Sequence, residues 1–256
     1  MDEHNPTTRF SDRVAEYMKY RPGYPPEIYD YLQRNAALNP GDRVVDLGSG
    51  TGLLSRIFLK RGHALIAVEP NPEMRRAAES LLGNQPGFTS LEGRAENIPL
   101  TAASVDFVAA GQAFHWFEPT SARAEIQRIL KPRKQVALVW NSRDLSAPFM
   151  QAYERILLDF GKDFSRVDQQ RVVTDDSVAA FFAPNSAQKA TFPNQQVFGF
   201  EGLWGRLLSS SYAPLEGQPG HAAMLAALRS AFEEHQKDDL IPFDYVTVVY
   251  HGPLDP

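Results

Sequence analysis

The sequence predicts an α/β fold built on one doubly wound, mostly parallel sheet of about seven strands. Three observations predict it. Apolar runs typical of buried strands alternate with amphipathic runs typical of helices up to residue 141, which favours parallel pairing with right-handed crossovers. Gly48, Gly50 and Gly52 directly follow the first strand, and Glu69 ends the second. A strand, a glycine turn and a helix in this order indicate the nucleotide-binding form of the fold.

The first elements are predicted from local helix and strand signals. Pro25 and Pro26 precede the amphipathic run EIYDYLQRNAAL, which is a helix-start signal. RVVDLGS is the first predicted strand, and GLLSRIFLKRG is a helix that Gly62 closes. HALIAVE is the second strand, and NPEMRRAAESLLG is a helix with Pro72 in its first turn.

Three further strands complete the alternating region. They are FTSLEGRA, SVDFVAAGQA and QVALVWNS, with the helix PTSARAEIQRILK before the last of them. Lys131, Arg133 and Lys134 form the densest basic cluster of the chain. We expect this cluster in a solvated turn between that helix and the fifth strand, at the edge of the sheet away from the ligand crevice.

The alternation ends after Ser142. Residues 144–185 are rich in helix-like runs and are interpreted as a cap over the sheet. QQVFGFE and DYVTVVYHG then predict two late strands, with a helix at 221–237 between them. The sequence therefore predicts a single domain over 1–256, which divides into an N-terminal helical segment 1–40, a core 41–143, a helical cap insertion 144–185 and C-terminal strands and helices 186–256.

Composition narrows the class of protein. Of 256 residues, 43% are hydrophobic and 22% charged, which is ordinary for a globular chain. The chain has no cysteine, which excludes disulfides, thiolate nucleophiles and cysteine-ligated metals. A formal net charge of −5 argues against a nucleic-acid partner. The polar start MDEHNPTTRF and the lack of a long apolar run predict a cytoplasmic protein with no membrane partner. No metal site is expected.

The spacing of the glycine turn bears on its ligand. Leu53 stands where the G-x-G-x-x-G fingerprint of dinucleotide folds has its third glycine. Asp46 precedes the turn, so the turn is poorly suited to a pyrophosphate and well suited to a ligand that carries a cation. Glu69 lies 19 residues after Gly50, where an acid can accept both hydroxyls of an adenosine ribose.

Several segments in this order resemble the class I S-adenosylmethionine-dependent methyltransferases. They are VVDLGSGTG, AVEPNPEM, GRAENIPL and VDFVAAGQAFHWF. The start, FSDRVAEYMKYRPGYP, and the end, SSSYAP and YVTVVYHG, resemble the small-molecule branch with a type 11-like domain. The resemblance implies a Rossmann-like sheet with an antiparallel strand near one edge. It also implies S-adenosyl-L-methionine as the cofactor.

The resemblance further implies which residues hold the cofactor. Gly48, Gly50 and Gly52 would wrap its methionine part, with Asp46 near the ammonium group. Glu69 would contact the ribose, and Asn71 or Met74 would contact the adenosine. Ala95 and Glu96 would contact the adenine edge. Gln112 would form the floor near the sulfonium, and Arg21 would reach a carboxylate of the cofactor or the substrate. Arg94 stands where many relatives have an acid, so the adenine contact could fall on Glu96 or on backbone. The turn LKPRKQ lacks the family's paired glycines, but it lies far from the site.

The aromatic segment AFHWF follows the fourth strand, where an acceptor would approach. His115 is the only histidine placed to act as a general base. A structural histidine anchored by hydrogen bonds is the competing interpretation, and we favour it because a carboxylate acceptor needs no base. The Asn-Pro-Pro-aromatic signature of many nucleic-acid amino methyltransferases is missing, which indicates an oxygen or carbon acceptor on a small molecule.

Two other classes of protein share parts of this pattern. A nicotinamide-dependent oxidoreductase would have the strand, the loop and the acid, but it should also have the glycine that Leu53 replaces. A non-catalytic S-adenosylmethionine-binding protein would keep the loop and lose the acceptor pocket. The sequence identifies neither the acceptor nor the oligomeric state.

Overall fold

A mixed sheet forms the centre of the computed structural model, which describes residues 14–162, 164 and 173–254. The strands are β1 Arg43–Leu47, β2 Ala64–Val68, β3 Phe88–Leu91, β4 Val105–Gly111, β5 Leu130–Arg143, β6 Gln188–Phe198 and β7 Ile241–Pro253. They lie in the order β3-β2-β1-β4-β5-β7-β6. Strands β1 to β5 pair in parallel, and β7 is antiparallel to both β5 and β6. The predicted doubly wound α/β class, with one antiparallel strand near an edge, is confirmed.

Helices precede, connect and follow these strands. They are α1 Val14–Tyr20, α2 Glu27–Asn35, α3 Ser55–Leu59, α4 Pro72–Leu82, α5 Pro119–Ile129, α6 Pro148–Phe160, α7 Asp175–Phe182, α8 Phe200–Leu208 and α9 His221–His235. Helix α4 begins as its sequence predicts, because Asn71 accepts a hydrogen bond from the backbone of Met74 and Pro72 occupies the first turn. The helices predicted inside 144–185 correspond to α6 and α7 in the part of that segment the structure describes.

Both faces of the parallel strands are buried. Val44 of β1 packs in one apolar cluster with Ile28 of α2 and Phe58 of α3. Its neighbour Val45 packs in a second cluster with Ile126 of α5, because successive strand residues point to opposite faces. Strand β1 is therefore fixed between two helical layers, with its carboxyl end at the point where the strand order reverses between β1 and β4. Ligands of open α/β sheets bind at such a point.

A third apolar cluster joins α6, α8 and α9 to strand β7. Phe149, Leu203, Leu228 and Phe243 are buried in it. Helices α6 and α9 contact each other, and α8 contacts α1. This cluster fixes α8 and the start of β7 beside the carboxyl ends of the parallel strands.

The strand expected at 195–201 was placed too late. Strand β6 runs from Gln188 to Phe198, and α8 begins at Phe200 after Gly199. It is an edge strand, paired only with β7 in the described sheet, and its residues alternate between partial and full exposure. Pro193 is tolerated there because one side of an edge strand needs no ladder hydrogen bonds. Because the strand is exposed at the edge of the sheet, the first half of its sequence is polar and lacks the apolar alternation that predicts a half-buried strand.

The basic cluster at 131–134 lies within a strand and not in a turn. Strand β5 begins at Leu130, directly after α5. Its pairing with β4 changes register between Leu130 and Gln135, which lie opposite Val105 and Phe107. The prediction of a turn was wrong because this irregular stretch absorbs the extra residues without leaving the sheet.

Candidate active site

A cleft opens at the carboxyl ends of β1, β2 and β4. One part of its lining comes from the glycine turn and the segments that follow β2, β3 and β4. The other part comes from the N-terminal segment, the end of β5, α8 and its following turn, and β7. The lining residues used below are Arg21, Gly48, Gly50, Glu69, Asn71, Met74, Ala95, Glu96, Gln112, His115, Trp116, Phe117, Arg143, Arg206, Tyr212 and Tyr245.

The three glycines of the turn are required for different reasons. All have positive φ, at +68°, +56° and +81° for Gly48, Gly50 and Gly52. A Cβ on Gly48 would lie 2.6 Å from the Cβ of Ala113, and one on Gly52 would lie 2.4 Å from Cδ1 of Leu82. A Cβ on Gly50 would meet no atom within 4 Å. Gly48 and Gly50 line the cleft, whereas Gly52 is not among its lining residues and packs against α4.

Glu69 ties the glycine turn to the end of β2. Its Oε2 accepts a hydrogen bond from the backbone N–H of Gly50, and its Oε1 accepts one from that of Asn71, both at 2.8 Å. Burial raises the pKa of this carboxyl group, while the two N–H donors oppose the shift. Each carboxylate oxygen can accept more than one hydrogen bond, so both keep capacity for a donor in the cleft. The arrangement fits a ligand with two adjacent hydroxyls.

Asp46 is completely buried and is not among the residues that line the cleft. Its Oδ2 accepts a hydrogen bond of 2.6 Å from Oγ of Ser55, and its Oδ1 has no partner in the described part of the chain. Burial, together with the charge of Glu69, raises the pKa of Asp46 to about 7. The structure thus holds a buried, under-satisfied acceptor close in sequence to the turn, which suits a ligand that brings positive charge.

The stability of the ligand-free protein is expected to depend on pH through Asp46. Its pKa in the folded state, about 7, exceeds its ordinary value of 3.8, so the folded protein binds this proton more tightly than the unfolded chain. The stabilisation is present below the ordinary pKa and is lost as the pH rises through about 7, with a slope of about 1.4 kcal/mol per pH unit.

Asp46→Asn removes this titration, so its free energy of unfolding should improve relative to wild type as the pH rises from about 4 to about 7. Urea unfolding of both proteins across that range measures the difference. Parallel curves for the two proteins would show that Asp46 does not titrate as its burial requires.

Four of the residues expected beside the adenosine line the same stretch of the cleft. Asn71, Met74 and Ala95 are buried, and Oδ1 of Asn71 accepts the hydrogen bond that caps α4. Oε1 of Glu96 accepts a hydrogen bond of 2.8 Å from the backbone N–H of Glu118. Arg94 lies 3.7 Å from the carboxylate of Glu96. The structure therefore brings these sequence-predicted residues together with Glu69.

Gln112 and His115 follow β4 on the cleft wall. Gln112 has a positive φ of +57° and exchanges hydrogen bonds with the backbone of Asn141 on the neighbouring strand. Nδ1 of His115 is buried without a partner among the described residues, and its ring packs against Trp116 with centroids 4.7 Å apart. Burial lowers the pKa of His115 to about 4. The hydrogen bond expected of an anchored structural histidine is therefore not found at Nδ1, and the ring is neutral at pH 7.

A second group of lining residues is basic and aromatic. Arg21, expected to reach a carboxylate, lines the cleft and donates from Nη2 to the backbone oxygen of Ser209 at 3.0 Å. The sequence did not predict its neighbours Arg206 and Tyr245, which lie on α8 and β7. Nε of Arg206 donates to the hydroxyl of Tyr245 at 2.8 Å. No local motif marks either residue, because only the packing of α8 and β7 brings them to the cleft.

The described residues of 144–185, which the sequence predicts as a cap over the sheet, pack against β7 and neighbouring helices but do not line the cleft. Helix α6 packs against α9, and α7 packs against α5 and β7. Arg206, Tyr212 and Tyr245 line the cleft instead.

Among the described residues, no group of three or more His, Cys, Asp or Glu side chains is placed to hold a metal ion. The same part of the chain contains no helix with the length and apolar character needed to cross a membrane.

Comparison with protein families and curated relatives gives consistent matches. Residues 45–138 match the family model described as a methyltransferase domain. An uncharacterised methyltransferase of Schizosaccharomyces pombe is 30% identical over 255 residues, covering 96% of this chain and 97% of its own. An uncharacterised methyltransferase of Mycobacterium bovis is 44% identical over 135 residues, or 53% of each chain. This chain thus spans about half the length of that mycobacterial relative.

Solved structures show the same fold at lower identity. A protein of Anaeromyxobacter dehalogenans superimposes with a TM-score of 0.69 at 21% identity, covering 93% of this chain and 99% of its own. A SAM-dependent methyltransferase of Aquifex aeolicus superimposes with a TM-score of 0.51 at 16% identity, covering 94% and 97%.

Proposed function

Because the chain belongs to the class I S-adenosylmethionine-dependent methyltransferases, we propose that it methylates an oxygen or carbon atom of a small molecule. The full-length relative and the matching methyltransferase domain carry the family assignment. Enzyme class and cofactor follow from it. The acceptor is the part that this proposal adds.

The observation that supports the cofactor site is the position of Glu69, which is hydrogen-bonded to the glycine turn beside open space at Gly50. Gly50 leaves free space on the cleft side, and Glu69 keeps acceptor capacity beside it. We propose that Gly48 and Gly50 hold the methionine part of the cofactor, with the buried carboxyl group of Asp46 nearby. Glu69 would hold the ribose, and the adenosine would contact Asn71, Met74, Ala95 and Glu96, with Gln112 near the sulfur. When bound, the cofactor supplies a methyl group on a positively charged sulfur, which is already activated for displacement.

The remaining work of the protein is to position the acceptor and exclude water. Placing two reactants in line can supply several kcal/mol of the barrier without a covalent intermediate. Trp116 and Phe117 line the cleft beside His115, and aromatic faces stabilise a neighbouring cation. Tyr212 and Tyr245 line it as well. A small acceptor held between these walls would be shielded from competing nucleophiles.

Two observations support a small acceptor over a nucleic acid. The cleft is lined from both chain halves, including the N-terminal segment and the residues after α8. The net charge of −5 gives no general attraction for phosphates. The single-domain division and the cytoplasmic location stay predictions.

Calorimetric titration with S-adenosylmethionine, its demethylated product S-adenosylhomocysteine, and NAD tests the cofactor directly. We expect the first two to bind and NAD not to bind, because Leu53 replaces the third glycine of a dinucleotide turn. A radiolabelled-methyl screen of small acids, phenols and nucleic acids tests the acceptor. Preferential methylation of nucleic acid would contradict the proposed acceptor, and tight NAD binding without methyl-donor binding would favour an oxidoreductase.

His115→Gln is expected to keep turnover within about tenfold of wild type, since a histidine with a pKa of about 4 is a weak proton acceptor at neutral pH. The pH profile above pH 5 should not change. A loss of about 10²–10⁴-fold, with the cofactor still bound, would identify His115 as the general base. His235→Gln, outside the cleft on α9, serves as the matched control.

A further inference from the structure

Two arginines of the cleft carry charges that no described residue neutralises. Arg206 is 3% exposed, and its hydrogen-bond partners are the hydroxyls of Tyr245, Ser209 and Ser210. Arg21 donates to a backbone oxygen, and its Nε is buried without a partner in the described chain. Neither guanidinium contacts a carboxylate among the residues described. The cleft wall therefore holds two unneutralised cations.

Arg143, which also lines the cleft, shows the usual arrangement of a buried arginine. Nε of Arg143 lies 3.0 Å from Oε2 of Glu154, and both side chains are nearly buried. This pair balances its own charge. The contrast matters because a buried ion without a counterion costs several kcal/mol, so a protein retains one where a ligand supplies the opposite charge.

Arg21 and Arg206 also act on each other. Burial lowers the pKa of Arg21, and the positive charge of Arg206 lowers it further. Both bind the short turn at the end of α8, Arg21 through the backbone of Ser209 and Arg206 through the side chains of Ser209 and Ser210. Two like charges on one turn repel in a medium of low polarity. An anion between or beside the two arginines would offset both the burial of their charges and the repulsion between them.

Arg206 is held in a defined orientation. Its Nε donates to Tyr245, and Nη1 donates to the two serine hydroxyls at 3.3–3.5 Å. The hydroxyl of Tyr245 donates in turn to Oε1 of Gln196. Nη2 makes no hydrogen bond to the described residues, so one edge of the guanidinium group keeps donors for a ligand. A preorganised guanidinium is well suited to a carboxylate.

We propose that Arg206 binds a carboxylate of the methyl acceptor, so that the enzyme acts on a carboxylic acid. The inference rests on the proposed function, in which the cofactor supplies one carboxylate to the cleft. Arg21 takes that group, and one positive charge remains on Arg206. A carboxylate carries the single negative charge that balances it, whereas a phosphate monoester carries nearly two at neutral pH.

The test begins with wild-type protein saturated with S-adenosylhomocysteine. The probes are aliphatic dicarboxylates and tricarboxylates of four to six carbons and hydroxybenzoates, each paired with its neutral amide, and phosphate esters of similar size. Calorimetry measures their binding, and radiolabelled methyl transfer measures their turnover. We expect carboxylates to bind and to be methylated in preference to their amides by about 100-fold, the effect of losing a charged hydrogen-bonded group.

Arg206→Met should abolish this preference and weaken carboxylate binding about 100-fold, with cofactor affinity within about threefold of wild type. Arg206→Lys retains the positive charge but loses the paired N–H donors of the guanidinium group. It provides the test if the methionine variant does not fold. We expect an intermediate loss of about tenfold for it. Arg229→Met is the matched control, because Arg229 stacks 3.8 Å from the ring centre of Phe200 outside the cleft.

Three results would overturn the inference: equal use of acid and amide, no carboxylate binding by the wild type at millimolar concentration, or tighter binding of phosphate esters. An unchanged carboxylate preference in both Arg206 variants would also overturn it. The proposed function fails separately, through absent cofactor binding or absent methyl transfer to any acceptor. Because carboxylate binding is measured by calorimetry without turnover, the two failures are distinguishable.

Discussion

Gly50→Val is expected to weaken binding of S-adenosylmethionine and S-adenosylhomocysteine by about 1,000-fold, or about 4 kcal/mol. Gly50 lines the cleft, and the direction in which its Cβ would point is free of protein atoms within 4 Å. A valine side chain would therefore occupy the space that the proposed ligand position requires. Calorimetric titration of each ligand into folded variant and wild type measures the effect.

Backbone strain must be separated from obstruction of the cleft. A β-branched residue at φ +56° costs about 1–3 kcal/mol of stability on its own. Gly62 provides the control, because it has φ +80° and also has no atom within 4 Å of a built Cβ, yet it does not line the cleft. Gly62→Val should lose comparable stability and keep ligand affinity. Equal loss of affinity in both variants would show that strain, and not the cleft, controls binding.

The parallel half of the fold was predictable because its signals are local. Pro72 predicts the start of α4 from the local sequence, and the structure adds a hydrogen bond from the backbone of Met74 to the side chain of Asn71. The apolar run of β1 is buried on both faces, which is why it reads as a strand without alternation. The glycine turn and Glu69 follow from the same local pattern. Sequence therefore predicts most of this wall of the cleft, although Asp46 and Gly52 do not line it.

Apart from Arg21, the other wall was not predictable, since distant segments assemble it. Arg206 meets Tyr245 from 39 positions away, and Arg21 meets Ser209 from 188 positions away. Neither contact has a spacing that sequence could show. The polar edge strand β6 likewise gains its structure from 11 paired positions along β7 and not from its own alternation. Residues that depend on such packing, including those we assign to the acceptor, required the structure.

Glu69→Ala is expected to weaken cofactor binding by about 100-fold, or about 2.7 kcal/mol. The carboxylate orders the turn through the N–H groups of Gly50 and Asn71, and it is the proposed acceptor for the ribose hydroxyls. Hydrogen bonds to a charged group contribute about 1.5–3 kcal/mol each. Glu69→Gln should lie between alanine and wild type, because one oxygen still accepts while the amide nitrogen faces a donor. Titration with S-adenosylhomocysteine measures all three proteins.

Glu92→Ala is the control, since the Glu92 side chain is 75% exposed and pairs with Arg75 at the surface, where ion pairs contribute little.

Measurements of stability further distinguish the role of Glu69. Burial raises the pKa of Glu69, so the free protein gains little from holding it ionised. Removing the carboxylate should then reduce ligand affinity more than it reduces the free energy of unfolding. A variant that loses stability in full proportion to affinity would instead make Glu69 a support for the turn alone. If the loss of affinity exceeds the loss of stability, Glu69 contributes mainly in the bound complex, where hydrogen bonds from the ligand offset the burial of its carboxylate.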